Sequence, residues 1–253
     1  MINDGSKNVI YTANIGGYDT LAPIPERYRE GWECLCVTDD VYKTPPGWQA
    51  VWIDPADFGG LPPVAIAKWF KIEPSKWLWG RVPEPPKWLL WIDANISIGR
   101  PLDDIVSEFP QETEFATKHH PAKLSFYDEI HAAARHPRTY LDGLAEKYEH
   151  MEADYRARGM PDEKEFLNHN NIILRRPTER VRAFESAWWS EFAHYEVWRD
   201  QIALRAAAWR TGFRFDLIPE LKRKGVKWSR HTCLPPKTHR RRPKARAQAE
   251  AAQ

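Results

Sequence analysis

Cysteine is scarce in this chain, with three among 253 residues, Cys34, Cys36 and Cys233. So few exclude a disulfide framework and a four-cysteine zinc site. Cys34 and Cys36 stand two apart on an expected strand and read as small core residues on one side. Long apolar runs are missing as well. No stretch reaches the length that spans a bilayer, and the start MINDGSKN has neither the charged nor the long apolar region of a signal peptide. A cytoplasmic protein is expected. Charge of one sign is also lacking: 37 Lys and Arg stand against 35 Asp and Glu, a formal net charge of +2. No field over the whole body therefore argues for nucleic acid.

What is present suits one large α/β domain over residues 1–234, long enough to bury a core without staples. Hydrophobic residues make up 42% and charged residues 28% of the chain, as in a globular protein, but tryptophan, at 13, is unusually frequent. Several tryptophans are expected to line a cleft or an interface. Positive charge concentrates at the end, where 235–253 carries Arg240, Arg241, Arg242, Lys244 and Arg246 with no apolar anchors. That stretch is expected to be a disordered basic tail.

The informative centre is Trp88 to Ile98 (WLLWIDANISI), where an apolar run ends in a carboxylate and an amide. Trp88 to Ile92 has the content of a central strand covered on both faces. If the chain stays extended, Asp93 and Asn95 point the same way, at the carboxyl edge where open α/β sheets bind ligands. Oxygen ligands of that kind suit Mg²⁺ or Mn²⁺. An ordinary turn is the other use of Asp-x-Asn after an apolar run.

Strands are also expected over Asn8 to Ala13, Glu33 to Val37 and Gln49 to Ile53. The first leads into Asn14-Ile15-Gly16-Gly17-Tyr18-Asp19, whose paired glycines permit close approach by a ligand or form a plain surface turn. The second ends in Thr38-Asp39-Asp40, where an acid can meet a ribose hydroxyl or cap a helix. Pro62 to Phe70 opens with proline and continues as a helix, placing Lys68 and Lys71 on one side. That pair can hold a diphosphate, tether an acid or sit in solvent. Further on, Asn168-His169-Asn170-Asn171 heads an apolar strand, and its amides and imidazole supply the directional donors and acceptors that a sugar or diphosphate requires. Arg199-Asp200-Gln201 opens a late helix, where Asp200 complements the helix dipole.

Six pieces in order, Ile10 to Asp19, Cys36-Val37-Thr38-Asp39, Lys68 to Pro74, WIDANISI at 91–98, NNIILR at 170–175 and Arg199-Asp200-Gln201, make the chain resemble a glycosyltransferase-like family. That family includes plant mucilage-related and pollen turgor-related proteins and bacterial members of polysaccharide loci. The resemblance implies a GT-A type single domain with a Rossmann-like mixed sheet flanked by helices. It implies Thr12, Asn14, Asp39, Lys68, Lys71 and Asp93 at a UDP- or other NDP-sugar donor, with His169, Asn170 and Asn171 at the sugars. Asp200 and Gln201 would face the reacting centre. Asp93, Asn95 and His231 would bind Mn²⁺ or Mg²⁺, with His119 or His120 as substitutes for His231. The expected activity is hexosyl or pentosyl transfer to a hydroxyl, on a glycan or on a modified nucleobase in DNA. A rival class is a nucleic-acid-binding protein using the arginine-rich tail and aromatic residues without transferase activity. A phosphohydrolase or nucleotidyltransferase, the third class, would show more carboxylates about its metal.

Overall fold

Residues 7–78, 81, 85–120, 125–136, 143–163, 167–218 and 226–228 are described by a computed structural model. In chain order the strands are Asn8–Asn14 (β1), Trp32–Thr38 (β2), Gln49–Trp52 (β3), Leu89–Ile92 (β4), Ile96–Ile98 (β5), Phe115–His119 (β6), Asn168–Arg175 (β7), Asp216–Ile218 (β8) and Val226–Trp228 (β9). The helices are Pro63–Ile72 (α1), Pro74–Trp77 (α2), Leu102–Val106 (α3), Phe126–Ala134 (α4), Ala145–Ala157 (α5), Glu179–His194 (α6) and Asp200–Thr211 (α7).

Seven strands form a mixed sheet in the order β3-β2-β1-β4-β7-β6-β8. β1 is buried along all but its first residue because its side chains serve two cores. Val9, Tyr11 and Ala13 enter one cluster, and Ile10 enters the other with Cys34 and Cys36. Both cysteines are thus core residues, and burial pushes the Cys34 thiol up to about 11 and the Cys36 thiol up to about 12. β1 pairs in parallel with β2 and β4, and β2 with β3, whereas β7 runs antiparallel to both β4 and β6. Because β7 is reversed, its amino end lies beside the carboxyl end of β4, and Asp93 N donates to Asn171 O at 2.9 Å. The chain leaves β1 for β2 and β3 on one side and returns to β4 on the other. That reversal opens a crevice at the strands' carboxyl ends.

The first face of the sheet is covered by α1, α6 and α7. α1 begins with Pro63 just after Pro62, as expected of a proline whose missing N–H would have gone unused. Its far end is fixed by the fully buried Arg175. That guanidinium donates to Lys71 O at 2.9 Å and Ile72 O at 3.4 Å and pairs with Glu185 at 2.9 Å. Cationic donors suit the last carbonyls of a helix. α7 is buried from Asp200 through Ala208, and its alanines allow close packing on the sheet side while Ile202 and Ala206 face a third cluster shared with α4 and α5. Gly212, at φ 66°, closes α7 in the left-handed conformation that glycine tolerates.

The expected strands and helices form within a few residues of their anticipated ends. The Asp93 to Asn95 segment differs: Ile96 N donates to Asp93 O at 2.9 Å, closing a turn between β4 and β5. The chain is therefore not extended there, and alternation fails one residue beyond the strand. Residues 235–253, expected to be a disordered tail, lie outside the described residues, as do Cys233 and His231. No helix among the described residues is long and apolar enough to cross a membrane.

Candidate functional site

A cavity of about 260 Å³ sits at the crevice, lined by the end of β1, the following loop, α1, the residues after β4, the head of β7 and the start of α7. It gathers Asn14, Lys68, Lys71, Asp93, His169, Asn170, Asn171, Asp200 and Gln201. Thr12, Asp39 and Asn95 do not line it.

At its centre, two lysines and two acids alternate. Lys68 Nζ lies 2.8 Å from Asp200 Oδ1, Lys71 Nζ 2.8 Å from Asp200 Oδ2, and Lys71 Nζ 3.0 Å from Asp93 Oδ1. Trp91 Nε1 donates to the same Asp93 oxygen at 2.9 Å. Helical spacing places both lysines on one side, while Trp91 and Asp93 are two apart at the end of β4. Side-chain exposure separates the four: 20% for Lys68 and 27% for Asp93, against 1% for Lys71 and 7% for Asp200. Lys68 and Asp93 can therefore meet a ligand, while Lys71 is enclosed.

Burial disfavours all four charges, yet the partners reverse it for three. Asp200 and Asp93 raise the Lys68 pKa above the usual amine value. Lys68 and Lys71 draw the Asp200 carboxyl far below the carboxylate range, and Lys71 with Lys68 also lowers the Asp93 pKa from its usual value. For Lys71, burial outweighs both acids, and its pKa falls below the usual amine value. Burial also lowers His169 from 6.5 to about 4, so its imidazole is neutral near pH 7.

The head of β7 carries unspent hydrogen-bonding capacity. Asn170 Oδ1 accepts from Thr117 Oγ1 at 3.3 Å, which orients that amide. Among the described residues neither Asn170 Nδ2 nor Asn171 Oδ1 has a partner, although both side chains are buried. Buried polar atoms are rarely left so, and one donor and one acceptor at a cavity wall match a polar, hydroxyl-bearing ligand.

Of three other residues expected at the donor, Asn14 lines the cavity while bonded to its own loop, and Thr12 and Asp39 do not line it. Asn14 spends its amide on the loop, donating to Asp19 O at 2.8 Å and accepting from Asp19 N at 3.0 Å. Asp39 accepts from Gly16 N with both oxygens, at 3.0 and 2.9 Å. Together they pin the Gly16-Gly17 loop, whose φ angles of 69° and 62° suit glycine. A Cβ on Gly16 would stand 3.3 Å from Pro63, so this loop rests on the first turn of α1. Thr12 is fully buried, one residue out of phase with the cavity-lining Ala13.

Asp93 and Asn95 do not converge as a pair of cation ligands in this arrangement, and the third expected ligand, His231, lies outside the described residues. Asp93 Oδ1 already accepts from an ammonium and an indole, a second ammonium lies nearby, and Asn95 is outside the cavity. Among the described residues no group of three or more His, Cys, Asp or Glu side chains is placed to hold a metal.

Sequence reasoning missed Tyr18, Trp91 and Trp198 as lining residues. Trp91 was accessible to the alternation rule, two residues before Asp93, and Trp198 immediately precedes Arg199-Asp200-Gln201. No protein-family model matches the chain, and no curated protein matches it either.

Proposed function

We propose that the protein is a GT-A type glycosyltransferase that moves a sugar from a nucleoside-diphosphate donor to a hydroxyl acceptor. One observation carries this reading. Lys68, Asp93, the amides of 170–171 and Asp200 come from four distant segments and meet in one cavity at the carboxyl edge of a mixed sheet. The aromatic side chains of Tyr18 and Trp198, both half-buried at the cavity wall, offer surfaces for a base or a sugar ring.

Transfer requires stabilising the negative charge that builds on the leaving diphosphate while the sugar carbon becomes electron-poor. Lys68, charged and partly exposed, supplies a fixed cation for that charge. Asn170 Nδ2 and Asn171 Oδ1 orient sugar hydroxyls through their unspent valences. Asp93 remains ionised and sits where it can orient the donor or the electron-poor carbon. Asp200 is a poor proton acceptor because two ammonium groups hold its carboxylate, which argues against a general-base role.

Thermal melts against a panel of nucleotide sugars, each with Mn²⁺ and with a chelator, test the reading. One donor class is expected to raise the Tm, since a ligand bound only by the folded state stabilises it, and the rise should persist in chelator. Asp93→Ala should keep the fold and lose turnover of that donor. Absence of any nucleotide-sugar shift, or full turnover by a folded Asp93→Ala protein, removes the proposal.

A further inference from the structure

Among the described residues, the cavity wall carries as many anions as cations. Lys68, Lys71 and Arg199 face Asp19, Asp93 and Asp200, and Arg199 is further paired with Glu129. With His169 neutral, a ligand bearing two or more negative charges meets lysines that the protein's own carboxylates already neutralise. Asp200 is the main neutraliser. It bridges the two ammonium groups with one oxygen on each, both at 2.8 Å, as two oxygens of a phosphate group would. Lys71 has a second acid, Asp93, and almost no exposure; Lys68 has Asp200 and an open side.

We propose that Asp200 is a positioning residue that occupies the anion seat between Lys68 and Lys71 in the free protein and yields Lys68 to a polyanionic ligand. Lys71 remains between Asp93 and Asp200 and never contacts the ligand. The inference rests on the reading of the cavity as a diphosphate site. It adds a sign: Asp200 competes with the phosphates, so the cavity selects ligands whose adjacent charges outbid a carboxylate and rejects singly charged anions.

Inorganic pyrophosphate, titrated calorimetrically at low salt, is the probe. Asp200→Asn should bind it at least about tenfold more tightly than wild type, a change of about 1.4 kcal/mol, whereas Lys68→Met should bind it at least about tenfold more weakly. A residue that only supports the fold would give no gain in affinity. Equal or weaker pyrophosphate binding by a folded Asp200→Asn protein overturns the proposal, as does an absence of binding by both. Should that variant fail to fold, amine labelling of the wild-type protein decides. Pyrophosphate is expected to protect Lys68 while Lys71 stays unlabelled throughout; unchanged Lys68 labelling overturns the idea. Because pyrophosphate carries neither sugar nor nucleoside, this pattern can hold while every nucleotide sugar fails, which sinks the transferase reading alone. The converse result sinks only the displacement of Asp200.

Discussion

Two buried charge clusters meet at Lys71, and they differ in kind. Its carbonyl is held by Arg175, which pairs with Glu185 and also binds Ile72 O; Glu185 in turn accepts from Ser75 Oγ at 2.7 Å. Its ammonium belongs to the other cluster, with Asp93, Asp200 and Lys68. Arg175, Glu185 and Ser75 do not line the cavity, and their cluster ties α1, α2, α6 and β7 together. The lysine cluster opens on a cavity through Lys68 and Asp93. Burial and charge are common to both, so neither marks a site by itself. Access to a cavity does. The Arg175 cluster also serves the open one, because Arg175 fixes the turn of α1 from which Lys71 projects.

The largest expected effect breaks the Arg175 cluster. Arg175→Leu leaves Glu185 buried without its cation and should cost about 3–5 kcal/mol in urea unfolding. The double variant Arg175→Leu/Glu185→Leu should recover part of that loss. Lys68→Met, in the open cluster, should cost no more than about 1–2 kcal/mol, because Asp200 keeps Lys71. Comparable losses in the two single variants would erase the distinction between scaffold and site.

The open cavity also carries a pH signature, through His169 in its wall. Burial lowers the His169 pKa from 6.5 to about 4 in the folded protein. Between those values the unfolded chain binds the proton and the folded chain does not, so stability must fall as pH drops from 6.5 towards about 4. Above 6.5 this residue contributes no slope. His169→Gln should flatten the pH dependence of the unfolding free energy in that window and leave it unchanged near pH 8. An identical slope in the variant would show that His169 is as accessible to protons when folded as when unfolded.

Much of the framework was legible in the sequence because each element carried its own local signal. The apolar runs of β1, β2 and β4 needed cover on both faces, and Pro62-Pro63 opened a helix whose spacing paired Lys68 with Lys71. Asp93, the head of β7 and Asp200 were legible as chemistry at element ends. Partners were not. Lys68 and Asp200 are 132 positions apart, and nothing local says that an acid at a helix start will clasp a lysine pair from another helix. Thr12 and Asp39, outside the cavity, and Asn14, which lines it while bonded to its own loop, show the complementary limit. Proximity to the edge was readable, but whether a side chain faces the cavity, its own loop or the opposite core depends on the phase of β1 and on backbone donors such as Gly16 N.

Asn95 gives the sharpest small test, because its assigned role rested on an extended chain that the structure replaces with a turn. In that turn Ala94 lines the cavity and Asn95 does not, while β9 pairs with the adjoining β5 so that Trp228 stands opposite Ile96. Asn95 thus belongs to the junction between the main sheet and the small β5–β9 sheet. Asn95→Ala should therefore change pyrophosphate affinity by less than about twofold and stability by about 1 kcal/mol or less, with no difference between Mn²⁺ and chelator. Conversely, a folded Asn95→Ala protein that binds pyrophosphate normally but loses a metal-dependent turnover seen in wild type would return Asp93 and Asn95 to a shared cation. That result would require the turn to open in the loaded state, because, of the Asp93 and Asn95 pair, the free arrangement offers the ion only the Asp93 oxygen that Lys71 and Trp91 leave unused.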